Sequence, residues 1–208
     1  MTADHAGIKR IRDWTWTLPP PPYPFAINRT LAGRGAPLYA QACLSCHGDH
    51  RFRDGVTAGE RIGQVVRLSD IGTDPYRLNS YTVEFAANQY SLFPDSPYRF
   101  RRFRKTDGYA NHPLDGIWGR APYLHNGSVP TLLDLLQPPE RRPAAFYRGY
   151  DVYDQERVGF VSDVAEENGR RFFRFDTSVP GNSSSGHVYG TTLSDDDKRA
   201  IVEYMKTF

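Results

Sequence analysis

Cys43-Leu44-Ser45-Cys46-His47 is the stretch on which the reading of this chain turns. It has the form C-x-x-C-H, the spacing used for covalent attachment of a c-type haem. The reason is mechanical. On one turn of helix, Cys43 and Cys46 lie on the same side and can form thioethers with the two vinyl groups of one porphyrin. His47, the next residue, then turns its imidazole toward the iron. The chain has 2 cysteines, and both are spent in this motif. A redox disulfide and half of a zinc site are the competing readings. Thioredoxin-like motifs favour a βαβ setting, which this stretch lacks. Structural zinc takes four ligands, usually with more cysteines than remain here. One covalent haem c, tethered by Cys43 and Cys46 with His47 on the metal, is the expected cofactor.

The flanks support this. Gly35-Ala36-Pro37-Leu38-Tyr39-Ala40-Gln41-Ala42-Cys43 reads as a helix entering the motif, with Gly35, Leu38, Tyr39, Ala42 and Cys43 at helical spacing. Near the other end, Ser194 is a good N-cap, and Asp195, Asp196 and Asp197 complement the positive end of the helix dipole. Ala200, Ile201, Tyr204, Met205 and Phe208 form one apolar stripe. A Gly and an aromatic four residues apart before C-x-x-C-H, with an aromatic-bearing terminal helix, resemble the crossed first and last helices of the cytochrome c fold. The resemblance implies that Gly35 permits close helix approach and that Tyr39 packs against Ile201 and Tyr204.

A chain of 208 residues with net charge +2 can bury one good core or two small ones. Its near-neutral balance argues against an obligate nucleic-acid binder. No apolar stretch approaches transmembrane length, so no membrane span is expected. Pro19-Pro20-Pro21-Pro22-Tyr23-Pro24 should run as stiff polyproline II after Trp14-Thr15-Trp16. We read residues 1–30 as an N-terminal extension and proline-rich linker, and 31–208 as the haem domain. An SH3-type ligand is the other reading of the prolines. Haem c is attached outside the cytoplasm, so a periplasmic or otherwise exported location is expected. No secretory signal opens the chain, which suggests excision from a longer precursor.

Between the haem motif and residue 78 the sequence reads mostly as loop, with a short apolar run at Val65-Val66 and a turn at Ile71–Pro75. A helix is expected over roughly Leu78–Asn88. The basic and aromatic run Tyr98–Lys105 suits a solvated face whose arginines serve local acids such as haem propionates; partner docking is the alternative.

Leu114 to Leu132, containing Ala121-Pro122-Tyr123-Leu124-His125-Asn126-Gly127-Ser128-Val129-Pro130-Thr131-Leu132, is similar to the C-terminal haem domain of bacterial di-haem cytochrome c peroxidases. It looks closer still to their larger relatives, the di-haem rubber-oxygenase-like proteins. The similarity continues through Phe146–Tyr150 to Gly186–Thr191 and covers most of the chain from about Ile11. Pro122 and Pro130 fix the backbone, Gly127 supplies a turn, and Thr131–Leu136 makes a short helix.

The sixth ligand is sought among His5, His50, His112, His125, His187, Met1 and Met205. Met205 lies on the core stripe and Met1 in a tail. The peroxidase relatives carry a methionine ligand after the H-(N/D)-G segment, where this chain has none. The rubber-oxygenase-like relatives use a late histidine, and that resemblance implies His187, in the flexible run Gly181–Gly186. His125 is the main rival, or shapes an interface with a second haem domain. His112 and His50 have weaker claims.

Two strong ligands make a low-spin iron that moves electrons and does little chemistry. The expected function is therefore electron transfer by a mono-haem c-type domain with a bis-His haem, part of a larger di-haem protein. Its partner would be a redox protein or an adjacent haem domain. The alternative is a peroxidase- or oxygenase-like oxidoreductase with an open axial position. Tyr123, Trp118 and His125 would then line the pocket, and Arg120 or Arg104 would stabilise charge. For the fold, the reading is mainly α: a cytochrome c-like helical core of three to five helices around one haem, with long loop insertions. The aromatic Arg171–Phe175 run allows a short β-hairpin within Ala145–Gly190.

Overall fold

The computed structural model describes residues 4–49, 61–92, 94–95, 99 and 104–208. His50, Met1 and most of the Tyr98–Lys105 run lie outside them. Helix α1 (His5–Thr15) is followed by the proline run, then α2 (Arg29–Ala42) and the one-turn α3 (Leu44–His47) that carries the motif. Asn28 caps α2 by accepting from Leu31 N at 3.0 Å. The C-terminal helix, Asp195–Met205, begins at Ser194, whose Oγ accepts from Asp197 N at 3.1 Å. This helix and α2 cross at Gly35, where a Cβ would overlap the carbonyl of Ala200. The absence of a side chain is what lets the two backbones touch. One turn later, Tyr39 fills the crossing, its ring 5.4 Å from Tyr204 and 5.1 Å from Phe208. Its hydroxyl donates to Gly48 O at 2.6 Å, which ties the crossing to the end of the haem motif. Ile201, Val202, Met205, Leu132, Val129 and Val158 complete the buried core.

The mainly-α expectation is overturned. Helix accounts for 36% of the described residues and strand for 13%, spread over several small sheets. Among the described residues there are four antiparallel two-stranded sheets. Strand β1 (Val65–Arg67) pairs with β2 (Gly108–Ala110), and β3 (Ala145–Arg148) pairs with β8 (Phe173–Asp176). Strands β4 (Tyr153–Asp154) and β5 (Gly159–Phe160) form a third pair. Strands β6 (Glu166–Glu167) and β7 (Arg170–Arg171) form the fourth. The physical reasons are local. Phe146 and Phe175 face each other in register with ring centres 5.1 Å apart, and the Arg148 guanidinium lies 3.9 Å over Phe175. Between β6 and β7, Asn168 (φ 49°) and Gly169 (φ 79°) make a two-residue turn with both φ positive, the geometry that Asn-Gly favours. Aromatic pairing and turn chemistry thus claim residues 145–176 for short paired strands rather than helix.

The helix expected over Leu78–Asn88 is two helices, Tyr76–Asn79 and Val83–Ser91. Thr82 breaks the run by turning its Oγ1 onto Phe85 N at 3.2 Å, an N-cap that restarts the helix. Thr131 similarly caps Leu132–Leu135. The proline run ends on the core: Tyr23 is buried, 5.6 Å from Trp118, and donates its hydroxyl to Gln155 O at 3.2 Å. Helix α1 has no buried residue and exposes Ile8, Ile11 and Trp14. No helix among the described residues is long and apolar enough to cross a membrane.

Candidate haem site

The turn that carries the motif is built by its own backbone. His47 N donates to Cys43 O at 3.0 Å and Gly48 N donates to Leu44 O at 2.8 Å, so Cys43, Cys46 and His47 share one turn. Both thiols are free. Burial lifts the Cys43 thiol to about 12, with Cys46 adding to the effect. The motif opens onto a cavity of about 570 Å³. Its lining includes Cys43, Cys46, His47, Tyr109, Tyr123, His125 and His187. That size is in the range of organic cofactor pockets.

His47 Nδ1 lies 2.7 Å from the carbonyl oxygen of His112 and donates to it. This bond fixes the tautomer, leaving Nε2 unprotonated for a metal, the usual outer-shell arrangement of a ligating histidine. Burial lowers the His47 pKa and favours the neutral form. The ring facing His47 belongs to His187, with centres 6.2 Å apart and planes inclined at 46°. Two imidazoles bound to opposite sides of one metal, each at about 2 Å, would hold their ring centres about 6 Å apart. The pair therefore fits one iron between them. His187 is pushed down to about 4, first by burial and then by His47 and Arg142. Its Nδ1 is buried without a hydrogen-bond partner among the described residues.

His187 has φ 48°, a left-handed conformation uncommon for a residue with a side chain. Several elements hold it there. His187 N donates to Ile71 O at 2.8 Å. Ser183 N donates to Asp74 Oδ2 at 3.3 Å. Asn126 Nδ2 donates to Gly181 O at 3.1 Å and Ser183 O at 2.9 Å. Gly186 sits so close to Gly72 and Thr73 that a Cβ would overlap their backbone. The run expected to be flexible is thus docked on the Gly72 turn and on the Asn126 hairpin.

The other sequence-derived residues divide. Tyr123 lines the cavity, but its hydroxyl is engaged elsewhere, donating toward Ile117 O at 3.1 Å and Val158 O at 3.2 Å. Burial raises its pKa. His125 also lines the cavity, stacked on Tyr109 with centres 4.3 Å apart and planes at 16°. Its Nε2 is buried without a partner among the described residues, and burial lowers its pKa. Trp118, Arg120 and Arg104 are not in the lining. Trp118 packs on Tyr23, and Arg120 donates to Pro113 O at 3.2 Å and to Asp115 O, bracing its own loop. Arg104 is exposed.

Sequence reasoning missed Arg77, Tyr109 and Arg142. Arg77 is the guanidinium in the described lining of the cavity. Tyr109 reaches the wall because β2 pairs it with Val66. The apolar pair Val65-Val66 was the available signal for that strand. Arg142 lies outside the cavity lining but is buried beside the His187 loop, and its sequence neighbours give no hint of it.

Two curated relatives come from Sinorhizobium fredii (strain NBRC 101917 / NGR234). The protein y4iJ is 32% identical over 250 residues, an alignment covering 91% of this chain and 41% of the relative. The protein y4iM is 30% identical over 233 residues, covering 91% of this chain and 51% of the relative. The chain spans about half the length, or less, of these relatives. Residues 108–147, which contribute Tyr109, Tyr123 and His125 to the cavity wall, match the family model described as RoxA-like, cytochrome c-like. Over residues 108–147 the chain is thus similar to the RoxA-like, cytochrome c-like family, a likeness that suggests a haem-binding, cytochrome-like domain.

Proposed function

We propose that this domain is a mono-haem electron-transfer module, in which Cys43 and Cys46 would tether haem c and His47 and His187 would hold its iron. The observation that carries the reading is the 6.2 Å separation of the two imidazole rings across the cavity. When bound, the haem supplies a one-electron couple, and two imidazoles favour its ferric form. The chain's residues do the rest. His47, oriented by the His112 carbonyl, offers a neutral nitrogen from the tethered side. His187 closes the opposite side, and Tyr189 covers it with an edge-on ring at 5.2 Å. Leu114, Ile117, Leu132, Leu136 and Met205 line the cavity with apolar surface and limit water. Arg77 is the residue we assign to a propionate carboxylate, a role the sequence pointed toward the Tyr98–Lys105 run.

With His47 and His187 both placed to hold the iron, the reading is relay rather than peroxide or oxygen activation. Its electrons would pass to or from a redox partner protein or an adjacent haem domain, in keeping with relatives roughly twice as long. In this reading residues 1–30 join the domain to its neighbour, and the protein works in the periplasm or a comparable exported location.

Expression in a host that matures c-type cytochromes tests the reading. Intact mass should show one covalent haem on the two thiols. The ferric absorption spectrum should be low-spin and unchanged by peroxide. His187→Ala should convert it to a high-spin, ligand-accessible form. A low-spin spectrum unaltered by His187→Ala overturns the axial assignment.

A further inference from the structure

Arg142 is 5% exposed and lies beside the His187 loop. Its Nε donates to Gln137 O at 2.9 Å. Nη1 donates to Ser184 O and to Gly186 O, the latter at 2.8 Å. Nη2 donates to Leu135 O at 3.2 Å and to His187 O at 3.1 Å. A guanidinium has five N–H donors. All are used here, and every acceptor is a backbone carbonyl. Three of those carbonyls belong to the loop that presents His187, and two belong to the Leu132–Leu135 helix and the residues just after it. Leu132, Leu135 and Leu136 line the cavity from that side. Arg142 therefore joins the wall of the cavity to the loop that closes it.

Such an arrangement is unusual for a buried charge, which ordinarily meets a carboxylate. Asp134 and Glu140 act on it only through space, and burial lowers its pKa. The side chain serves as a five-point brace for a backbone segment that supplies few regular hydrogen bonds of its own. We propose that Arg142 is the positioning residue for the distal axial ligand: it fixes the Ser184–His187 backbone so that His187 stays on the iron. This inference rests on the reading of His187 as that ligand.

The brace has a kinetic consequence. An external ligand can reach the iron only after His187 has left it, and His187 leaves when its loop opens. Removing the donors that hold Ser184, Gly186 and His187 should raise the population of the open loop. Lysine is not a substitute, because three N–H donors on a point charge cannot reproduce the planar fork.

The test uses haem-loaded parent, Arg142→Gln, Arg142→Lys and His187→Ala proteins. The readouts are the ferric spin state and the rate of cyanide binding. We expect Arg142→Gln to gain a high-spin fraction and to bind cyanide at least tenfold faster than the parent, with Arg142→Lys between them. Added imidazole should restore the low-spin spectrum of Arg142→Gln. A merely structural arginine would lower the melting temperature and leave the cyanide rate unchanged, and that result overturns the proposal. If Arg142→Gln does not fold, Arg142→Lys decides by the same rate. The two readings fail separately. High-spin His187→Ala beside unchanged Arg142 variants sinks the brace alone, whereas a low-spin His187→Ala sinks the axial assignment and the brace with it.

Discussion

Replacing Gly35 by alanine probes the helix crossing on which the cavity is built. A Cβ at Gly35 would overlap the carbonyl carbon and oxygen of Ala200 and lie 3.0 Å from Ile201 N. These are backbone atoms of a packed helix, so no side chain can rotate aside. Overpacking of this kind costs about 1–3 kcal/mol, and a contact with backbone belongs near the top of that range. Alanine in mid-helix returns about 1 kcal/mol relative to glycine. The net expectation for Gly35→Ala is a loss of about 2 kcal/mol. At about 2–4 °C per kcal/mol for a chain of this size, the melting temperature should fall by about 4–8 °C. Gly33 is the internal control. It lies in the same helix, two residues earlier, with nothing within 4 Å of its added Cβ. Gly33→Ala should gain about 1 kcal/mol from propensity alone and melt about 2–4 °C higher. Thermal unfolding of the haem-loaded variants, followed by far-ultraviolet circular dichroism and by haem absorbance, gives both numbers. Because α2 leads into Cys43, the haem signal of Gly35→Ala should be lost with the helix signal. Shifts of the same sign for the two variants would refute the close-approach argument, since propensity would then account for both.

Three further outcomes follow from buried hydrogen bonds and charge. Thr131→Ala removes the cap of Leu132–Leu135, which accepts from Asp134 N at 3.1 Å and donates to Asp134 Oδ2 at 2.6 Å; the loss should be about 1–2 kcal/mol by urea denaturation. Tyr123→Phe withdraws the hydroxyl from Ile117 O and Val158 O and should cost about 1–2 kcal/mol, with the haem spectrum retained because the hydroxyl points away from the chemistry. The Asp176 carboxyl is held down to about 2 by hydrogen bonds from Ser178 and Arg174. A lowered carboxylate value stabilises the fold above the unfolded value near 4 and loses that contribution as pH falls from about 4 to 2. Asp176→Asn should therefore narrow the difference between urea midpoints measured at pH 5 and pH 2.5.

What the sequence disclosed and what it hid follow from the range of the forces involved. The turn that brings Cys43, Cys46 and His47 together is legible because a turn is a local object. Ser194 and Thr131 announce themselves by the same short-range logic. Gly35 was readable through the resemblance to the crossed first and last helices of the cytochrome c fold, not from the sequence around it alone. The hairpins were readable in part. Asn168-Gly169 is a strong local turn signal, yet β3 and β8 meet across nearly thirty residues, and no periodicity near Phe146 identifies Phe175 as its partner. The long helix expected over Leu78–Asn88 overlooked Thr82, whose capping hydroxyl was in plain view. Arg77, Tyr109 and Arg142 could not be found by pattern at all. Their roles depend on which loops fold against them, and arginine in a sequence looks the same whether it faces water or five carbonyls. For the same reason nothing in the sequence separates Trp118, Arg120 and Arg104, which are not among the residues lining the cavity, from those that are.

The choice between relay and catalysis comes down to how readily one loop opens. The segment from Gly181 to His187 receives or makes hydrogen bonds with Arg142, Asn126, Asp74 and Ile71, anchors drawn from three separate parts of the chain. Each such bond contributes about 1 kcal/mol net. If opening the loop breaks about five of them, the cost is about 5 kcal/mol before any metal bond is counted, and the open form is about one molecule in several thousand. A catalytic haem needs its vacant position at every turnover, so it would be served poorly by a loop braced in this way. An electron carrier needs the opposite: ligands that stay put in both oxidation states, so that little rearrangement accompanies the transfer. Glycine and serine make the loop easy to bend into place, and the four anchors then keep it there. Flexible composition and a rigid position are therefore compatible, and under the proposed relay the rigid position would suit His187 to a permanent ligand better than to a gate.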